Sequence, residues 1–437
     1  MSPADLEKRE AGLIRALGVP GLTANIINTT IGAGIFALPA AVALRLGGAA
    51  PVAFAICAVA MALFVTCFAL AGSRVSLTGG LYAYVEVAFG RYIGFLTAVL
   101  LFLSAVLSVA GVVTLFAGSL SALVPALNST LGRAILMAII YSVLAAINIR
   151  GVRAGGGTVA VVTIAKLIPL LAFIAVGIFF IHPTALAWPG WPNGDTLGGA
   201  VLLLMFAFVG IEVALVPSGE VKNPSRTVPR AIYTALAITT LIYIAIQLVA
   251  QGILGGELGN YPTAPLAEAA GRFLGRAGQT VLLAGATISA FGFVASDILG
   301  SPRYLFALAR DRILPKPLAH LHLRYRSPDF AIATYALLAF GFSLSSTFEK
   351  LAVMANVAVL FAYLLCSAAA WQLMRRDVRA DGAPLNFPGA RLVPVLAIGA
   401  AIWILAHATL QEFKVTAMVL AVASVLYGIR SMTAREG

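Results

Sequence analysis

Three charged residues lie inside long apolar stretches: Lys166, Glu212 and Asp297. A bare charge at the middle of a bilayer costs at least about 2.5–3.5 kcal/mol. Each must therefore meet a partner, exchange a proton or bind something. Lys166 sits well inside the apolar run 156–181. It is either a permanently protonated fixed cation or an amine that gains and loses its proton. Glu212 is either a structural carboxylate held by nearby amides and hydroxyls or a proton-sensitive link between an occupied site and a movement. Asp297 is either paired within the protein, with Lys166 or a hydroxyl such as Ser289, or an acceptor for an amine of a ligand.

Two glycine-marked spots accompany these charges. The first is Thr29-Thr30-Ile31-Gly32-Ala33-Gly34-Ile35-Phe36. Two glycines one residue apart weaken a helix. At membrane depth an opened backbone is tolerable only where it lines a cavity or meets a ligand. Thr29, Gly32, Ala33 and Gly34 are then candidate site residues. The half-helix that follows offers free N–H groups and a positive end, which suit a carboxylate. Close helix packing is the competing reading of the same glycines. The second spot is Phe206-Ala207-Phe208-Val209-Gly210-Ile211-Glu212. A helix ending near Gly210 turns its free carbonyls toward the same space, where they suit an ammonium. One spot donates hydrogen bonds and the other accepts them, so the pair matches a zwitterion.

The elements that must position these residues are membrane helices. Apolar residues make up 61% of the 437 and charged residues only 11%, with a net charge of +12. Water-soluble domains carry roughly 25% charged residues, so a soluble enzyme is excluded. Twelve apolar runs read as spans, near 20–44, 50–73, 84–123, 132–149, 156–181, 197–219, 229–254, 277–309, 329–346, 351–374, 392–409 and 414–430. With these spans, 22 Lys and Arg fall on one side of the membrane and six on the other, leaving Lys166 between. Lys8, Arg9, Arg15 and Arg153 are in the larger set; Arg45, Arg133, Arg272, Arg276, Lys350 and Lys414 form the smaller. The asymmetry puts both termini in the cytoplasm. No cleavable signal is read in residues 1–18. The basic charge is spread over loops, which argues against nucleic acid as a partner. Cys57, Cys67 and Cys366 lie in apolar runs, and the four histidines lie at loops or interfaces, so no metal or cofactor is expected. Trp188 and Trp191 fit an interfacial belt. The two glycine spots fall in the first and sixth spans, five apart, which points to two inverted repeats of five helices.

These residues carry a family resemblance. Gly32 to Phe36, Phe206 to Glu212, and Gly219-Glu220-Val221-Lys222-Asn223-Pro224 through Arg230 are similar to the amino acid–polyamine–organocation permeases. So are Thr78-Gly79-Gly80 with Tyr82 and Tyr84, and Ser301-Pro302-Arg303 through Asp311 ahead of Pro315. The resemblance runs from about residue 12 to residue 375, with the motifs in order. It implies an all-α integral membrane fold of twelve helices, a five-plus-five inverted repeat with discontinuous helices 1 and 6, and two further C-terminal helices. The organisation would be a cytoplasmic tail at 1–18, a transporter core at 19–375, and a loop with the last two helices at 376–437.

The resemblance also implies alternating-access transport of amino acids or related amines. Gly32, Ala33 and Gly34 would face the substrate carboxylate, and Phe206, Ala207 and Phe208 its amino group. Phe206 falls where many relatives carry an aromatic gate, and Ala33 replaces a Ser found in some. Lys166 matches the place of a cation in sodium-coupled cousins, which implies sodium-independent transport, coupled to protons or exchanging. Asp297 falls on a pocket-lining position and leaves cationic amino acids or polyamines as an alternative substrate. Glu220 reads best as an interfacial salt bridge or cap. No catalytic residue and no protein partner are implied. A sensor that kept the fold without transport is the rival of another class. The Ala- and Arg-rich, loop-poor chain suggests the inner membrane of a bacterium.

Overall fold

The structure is a computed structural model describing residues 18–75, 77, 79–123, 127, 129–150, 156–188, 190–212, 215, 221–310, 314–379 and 383–433. Lys8, Arg9, Arg15, Thr78, Arg153, Gly219, Glu220 and Asp311 lie outside the described residues, as does nearly all of the tail 1–18.

Apolar runs become helices because only intra-segment hydrogen bonding satisfies a backbone that meets no water. The helices are α1 (Val19–Thr30), α2 (Leu38–Leu46), α3 (Ala50–Gly72), α4 (Leu81–Phe89), α5 (Arg91–Leu123), α6 (Thr130–Ile149), α7 (Gly156–Gly177) and α8 (Gly194–Phe208). They continue as α9 (Pro224–Leu254), α10 (Pro265–Gly300), α11 (Pro302–Arg310), α12 (Asp329–Ser345), α13 (Phe348–Arg375), α14 (Leu392–Leu405) and α15 (Leu410–Thr433). No β-sheet occurs among the described residues. Local sequence explains several ends. Ser129 caps α6 by accepting from the Gly132 amide at 3.0 Å, and Asn193 caps α8 by accepting from Asp195 at 2.9 Å. Pro224 and Pro265 occupy first-turn positions, where a missing N–H does no harm.

The surface is turned inside out relative to a soluble protein. On α6, Leu131, Ile135, Ile139, Val143 and Ile147 recur every four residues and are all exposed. The opposite face buries Met137, Tyr141, Leu144 and Asn148. A stripe of that length in water would be an aggregation site; in lipid it is the solvated face. Among the described residues, seven helical stretches are long and apolar enough to cross a membrane, and Ile164–Phe180, Gly194–Phe208, Asp329–Ser345 and Leu392–Leu405 are shorter apolar helices.

Two expected spans are built differently. The run 84–123 is split at Gly90, whose φ of +92° ends α4 before α5 begins. Glycine adopts that value without the Cβ clash that other residues suffer. The run 277–309 begins where expected, just after a non-helical break at Gly275 that separates it from a helical stretch starting at Pro265, but ends at Gly300. Pro302 then opens the separate α11, because proline cannot donate into the preceding turn. Inside the bundle, α13 runs along α5 and α9 packs on both α1 and α3. Those contacts surround the break after α1.

Candidate functional site

The α1 helix stops where its glycines predict. Gly32 donates back to Thr30 in a tight turn at 2.9 Å. A short 3₁₀ turn, Gly34–Phe36, follows before α2. Phe36 and Ala37 donate to Ala33 and Gly34. Among the described residues, the amides of Ala33, Gly34 and Ile35 meet no acceptor. Three adjacent open donors, each in a residue that is itself buried, form an anion-binding nest.

The end of α8 is the complementary surface. Val209 closes the last turn on Met205 at 3.1 Å. The next amide, Gly210, turns away to the Glu212 carboxylate at 3.1 and 3.2 Å. Phe206 thereby loses its expected donor. Among the described residues, the carbonyls of Phe206 and Phe208 accept from nothing. Gly210 has φ of +114°, and a Cβ there would lie 2.5 Å from the Thr29 carbonyl oxygen. Only glycine fits both demands. The two breaks therefore touch, backbone to backbone, at Gly210 and Thr29.

Tyr243 of α9 ties them together. Its fully buried hydroxyl lies 2.7 Å from the Ala207 carbonyl and 3.0 Å from that of Thr30. Ala207 is thus committed to Tyr243, which narrows the open acceptors to Phe206 and Phe208. Tyr243 was not among the residues singled out from sequence. A signal for it existed: Tyr243, Gln247 and Gln251 recur every four residues and are all buried, forming one polar stripe in an apolar helix.

The other expected residues fall as follows. Thr29 turns its hydroxyl back to Asn25 and Ile26 of its own helix at 3.0 Å each. The Phe206 ring lies over Gly34, 3.0 Å from where a Cβ would be, and meets Phe348 edge-on at 5.5 Å. Phe293 of α10 covers Gly32 in the same way at 3.7 Å. Lys166 is buried on α7 and donates to the Asn28 carbonyl, in the last turn of α1, at 2.5 Å. A cation suits that negative helix end. Glu212 is buried and accepts a 2.6 Å hydrogen bond from Tyr363 of α13, in addition to the Gly210 amide. Tyr363 is itself packed between Phe64 and Phe68.

Asp297 is placed apart from this cluster. Its carboxylate accepts from Tyr335 of α12 at 2.8 Å and from Ser301 one turn on. Its hydrogen bonds go neither to Lys166 nor to Ser289, whose buried hydroxyl finds no partner among the described residues. Sequence reading missed Tyr335 and Tyr363 as partners, because each joins the site through packing between distant segments, and it passed over Ser301, which stands one turn from Asp297.

A lipid-faced helical bundle in which the end of α8 meets the break after α1, one side leaving carbonyls open and the other amides, has the build of a membrane transporter. The chain belongs to the amino acid permease family, within the amino acid–polyamine–organocation superfamily; the family profile described as amino acid permease matches residues 17–427. It is 30% identical to the serine/threonine exchanger SteT of Bacillus subtilis, over 93% of this chain and 92% of that one. It is 28% identical to the methylthioribose transporter of the same organism, over 91% and 89%. A third relative there, the branched-chain amino acid permease BcaP, is 25% identical over 89% and 87%.

Proposed function

We propose that the protein is a secondary carrier of neutral α-amino acids in the cell membrane, working by alternating access without sodium. The observation that carries this reading is that, where the two breaks meet, the amides of Ala33, Gly34 and Ile35 and the carbonyls of Phe206 and Phe208 have no partner among the described residues. A zwitterion satisfies both sets at once: its carboxylate takes the amides and its ammonium takes the carbonyls. An uncharged solute, or one with a single charge, leaves half of these groups desolvated and unpaired, at about 1–3 kcal/mol for each. Two of the relatives bear amino acid names, an exchanger of serine and threonine and a branched-chain permease, which supports the class. The third is named for methylthioribose, so the solute is read from the site and not from kinship.

In this reading twelve spans form two inverted repeats of five, followed by two C-terminal helices, with both termini cytoplasmic. The broken first and sixth spans are α1 with α2, and α8 with its continuation. Substrate binds where they cross, and the repeats rock around it. Lys166 acts as a fixed cation at the end of α1, in place of a bound metal ion. Glu212, held by Gly210 and Tyr363, connects the sixth-span break to α13. Coupling is by exchange or by protons. The cationic alternative finds less support, because the Asp297 carboxylate is engaged by Tyr335 and Ser301.

Uptake and counterflow into liposomes carrying the purified protein, with labelled amino acids and with or without a pH gradient, test the reading. Sodium-independent uptake of neutral amino acids is expected. Counterflow that needs no gradient marks exchange. A protein that moves neither amino acids nor amines overturns the proposal.

A further inference from the structure

An apolar cavity of about 80 Å³ shares one residue, Ala33, with the nest of amides. Ala33 supplies both an open amide and a piece of the cavity wall, and Phe36 of the 3₁₀ turn supplies another. The rest of the wall comes from Leu115 and Phe116 of α5, Leu266 at the start of α10, and Leu282 and Ala286 further along α10. No Asp, Glu, Lys, Arg or His lines it. Two of its hydroxyls are already committed to backbone: Ser119 donates to Leu115 and Thr263, and Thr287 donates to Leu283.

We infer that this cavity is the side-chain subsite of the carrier, and that it selects a compact branched aliphatic side chain. The inference rests on the reading of the Ala33–Ile35 amides as the carboxylate clasp. A carboxylate held there places the rest of the solute beside Ala33, at the mouth of the cavity. An apolar cavity of about 150 Å³ accepts benzene; one of about 80 Å³ has room for roughly three or four carbons, the size of a valine or leucine side chain. A glycine or alanine leaves it unfilled. A lysine or glutamate brings a charge to walls that offer it nothing. Ala286 and Ala290, one turn apart on α10, are among the small residues of the wall, so enlarging them takes up cavity volume.

Competition in the liposome assay tests this, with alanine, valine, leucine, phenylalanine and lysine as solutes. One methylene in a hydrophobic pocket discriminates by roughly 10-fold or more. Valine and leucine are therefore expected to be carried about 10-fold better than alanine, with lysine excluded. Ala286→Leu fills the cavity and lowers the valine-to-alanine ratio at least about fivefold. Leu282→Ala deepens it and raises the phenylalanine-to-leucine ratio. Ratios are read within one preparation, so a partial loss of folded protein does not move them. Equal transport of alanine and leucine by the unaltered protein, or ratios unmoved by both substitutions, overturns the subsite while leaving the carrier in place. Failure to carry any amino acid overturns the clasp itself.

Discussion

The Lys166 ammonium donates to the Asn28 carbonyl oxygen at 2.5 Å, which fastens α7 to the last turn of α1. The carbonyls of that turn carry the negative end of the helix dipole, and Lys166 meets the one at Asn28. A charge that would be prohibitive in lipid is thereby placed against the one backbone feature that favours it.

Replacing Lys166 with Ala removes a hydrogen bond to a charged group, worth about 1.5–3 kcal/mol. Uptake is expected to fall roughly 10- to 100-fold while the protein remains in the membrane. Any accumulation driven by a pH gradient should disappear. Accumulation equal to that of the unaltered protein would remove Lys166 from coupling.

Tyr243→Phe keeps the ring and deletes the hydroxyl that meets Ala207 and Thr30. Leaving a buried carbonyl without its donor costs about 1–3 kcal/mol. A lower melting temperature in detergent and a raised KM are expected together. An unchanged KM would show that the hydroxyl serves stability only.

The glycines at the crossing differ in what they tolerate. At Gly210 an added methyl meets the Thr29 backbone at 2.5 Å with φ at +114°, so Gly210→Ala is expected to abolish transport and to lower stability by about 1–3 kcal/mol. At Gly34 the nearest atom belongs to the Phe206 ring at 3.0 Å, and a ring can shift. Gly34→Ala is expected to fold normally and to bind substrate more weakly. Thermal melts and substrate-protection assays on both variants separate the two cases. Equal stability for the two would contradict the crossing described.

Asp297→Asn keeps an acceptor for Tyr335 and roughly the same volume. Neutral amino acid uptake is expected to stay within a few-fold of normal. Asp297→Leu leaves the hydroxyls of Tyr335 and Ser301 without their acceptor and should lower the melting temperature. A selective loss of dicationic substrates in the Asn variant would instead restore Asp297 to the substrate site.

Much of this site is legible in the chain because its cause is local. Gly32 and Gly34 open α1, and Gly210 ends α8, through backbone properties that travel with the residue. The apolar runs mark the helices for the same reason. What the chain hides is set by distance. Gly90 interrupts a run that is largely apolar on both sides, so the split there leaves little trace in a tally of apolar residues. Asp297 illustrates the limit best. Its charge in an apolar run called for a partner, but Tyr335 is 38 positions away and is chosen by how α10 and α12 pack. Tyr363 reaches Glu212 across 151 positions in the same manner.

The hydroxyl of Tyr243 has one hydrogen and two oxygens within its reach. It cannot serve both fully, so the ends of α1 and α8 are rivals for the same proton. Any motion that draws them apart gives up one of the two contacts: the Thr30 oxygen would keep the Gly32 amide, whereas the Ala207 oxygen would be left to water or to the solute's own ammonium. An empty carrier and a loaded one therefore face different penalties for the same displacement, and a single phenol sets the difference.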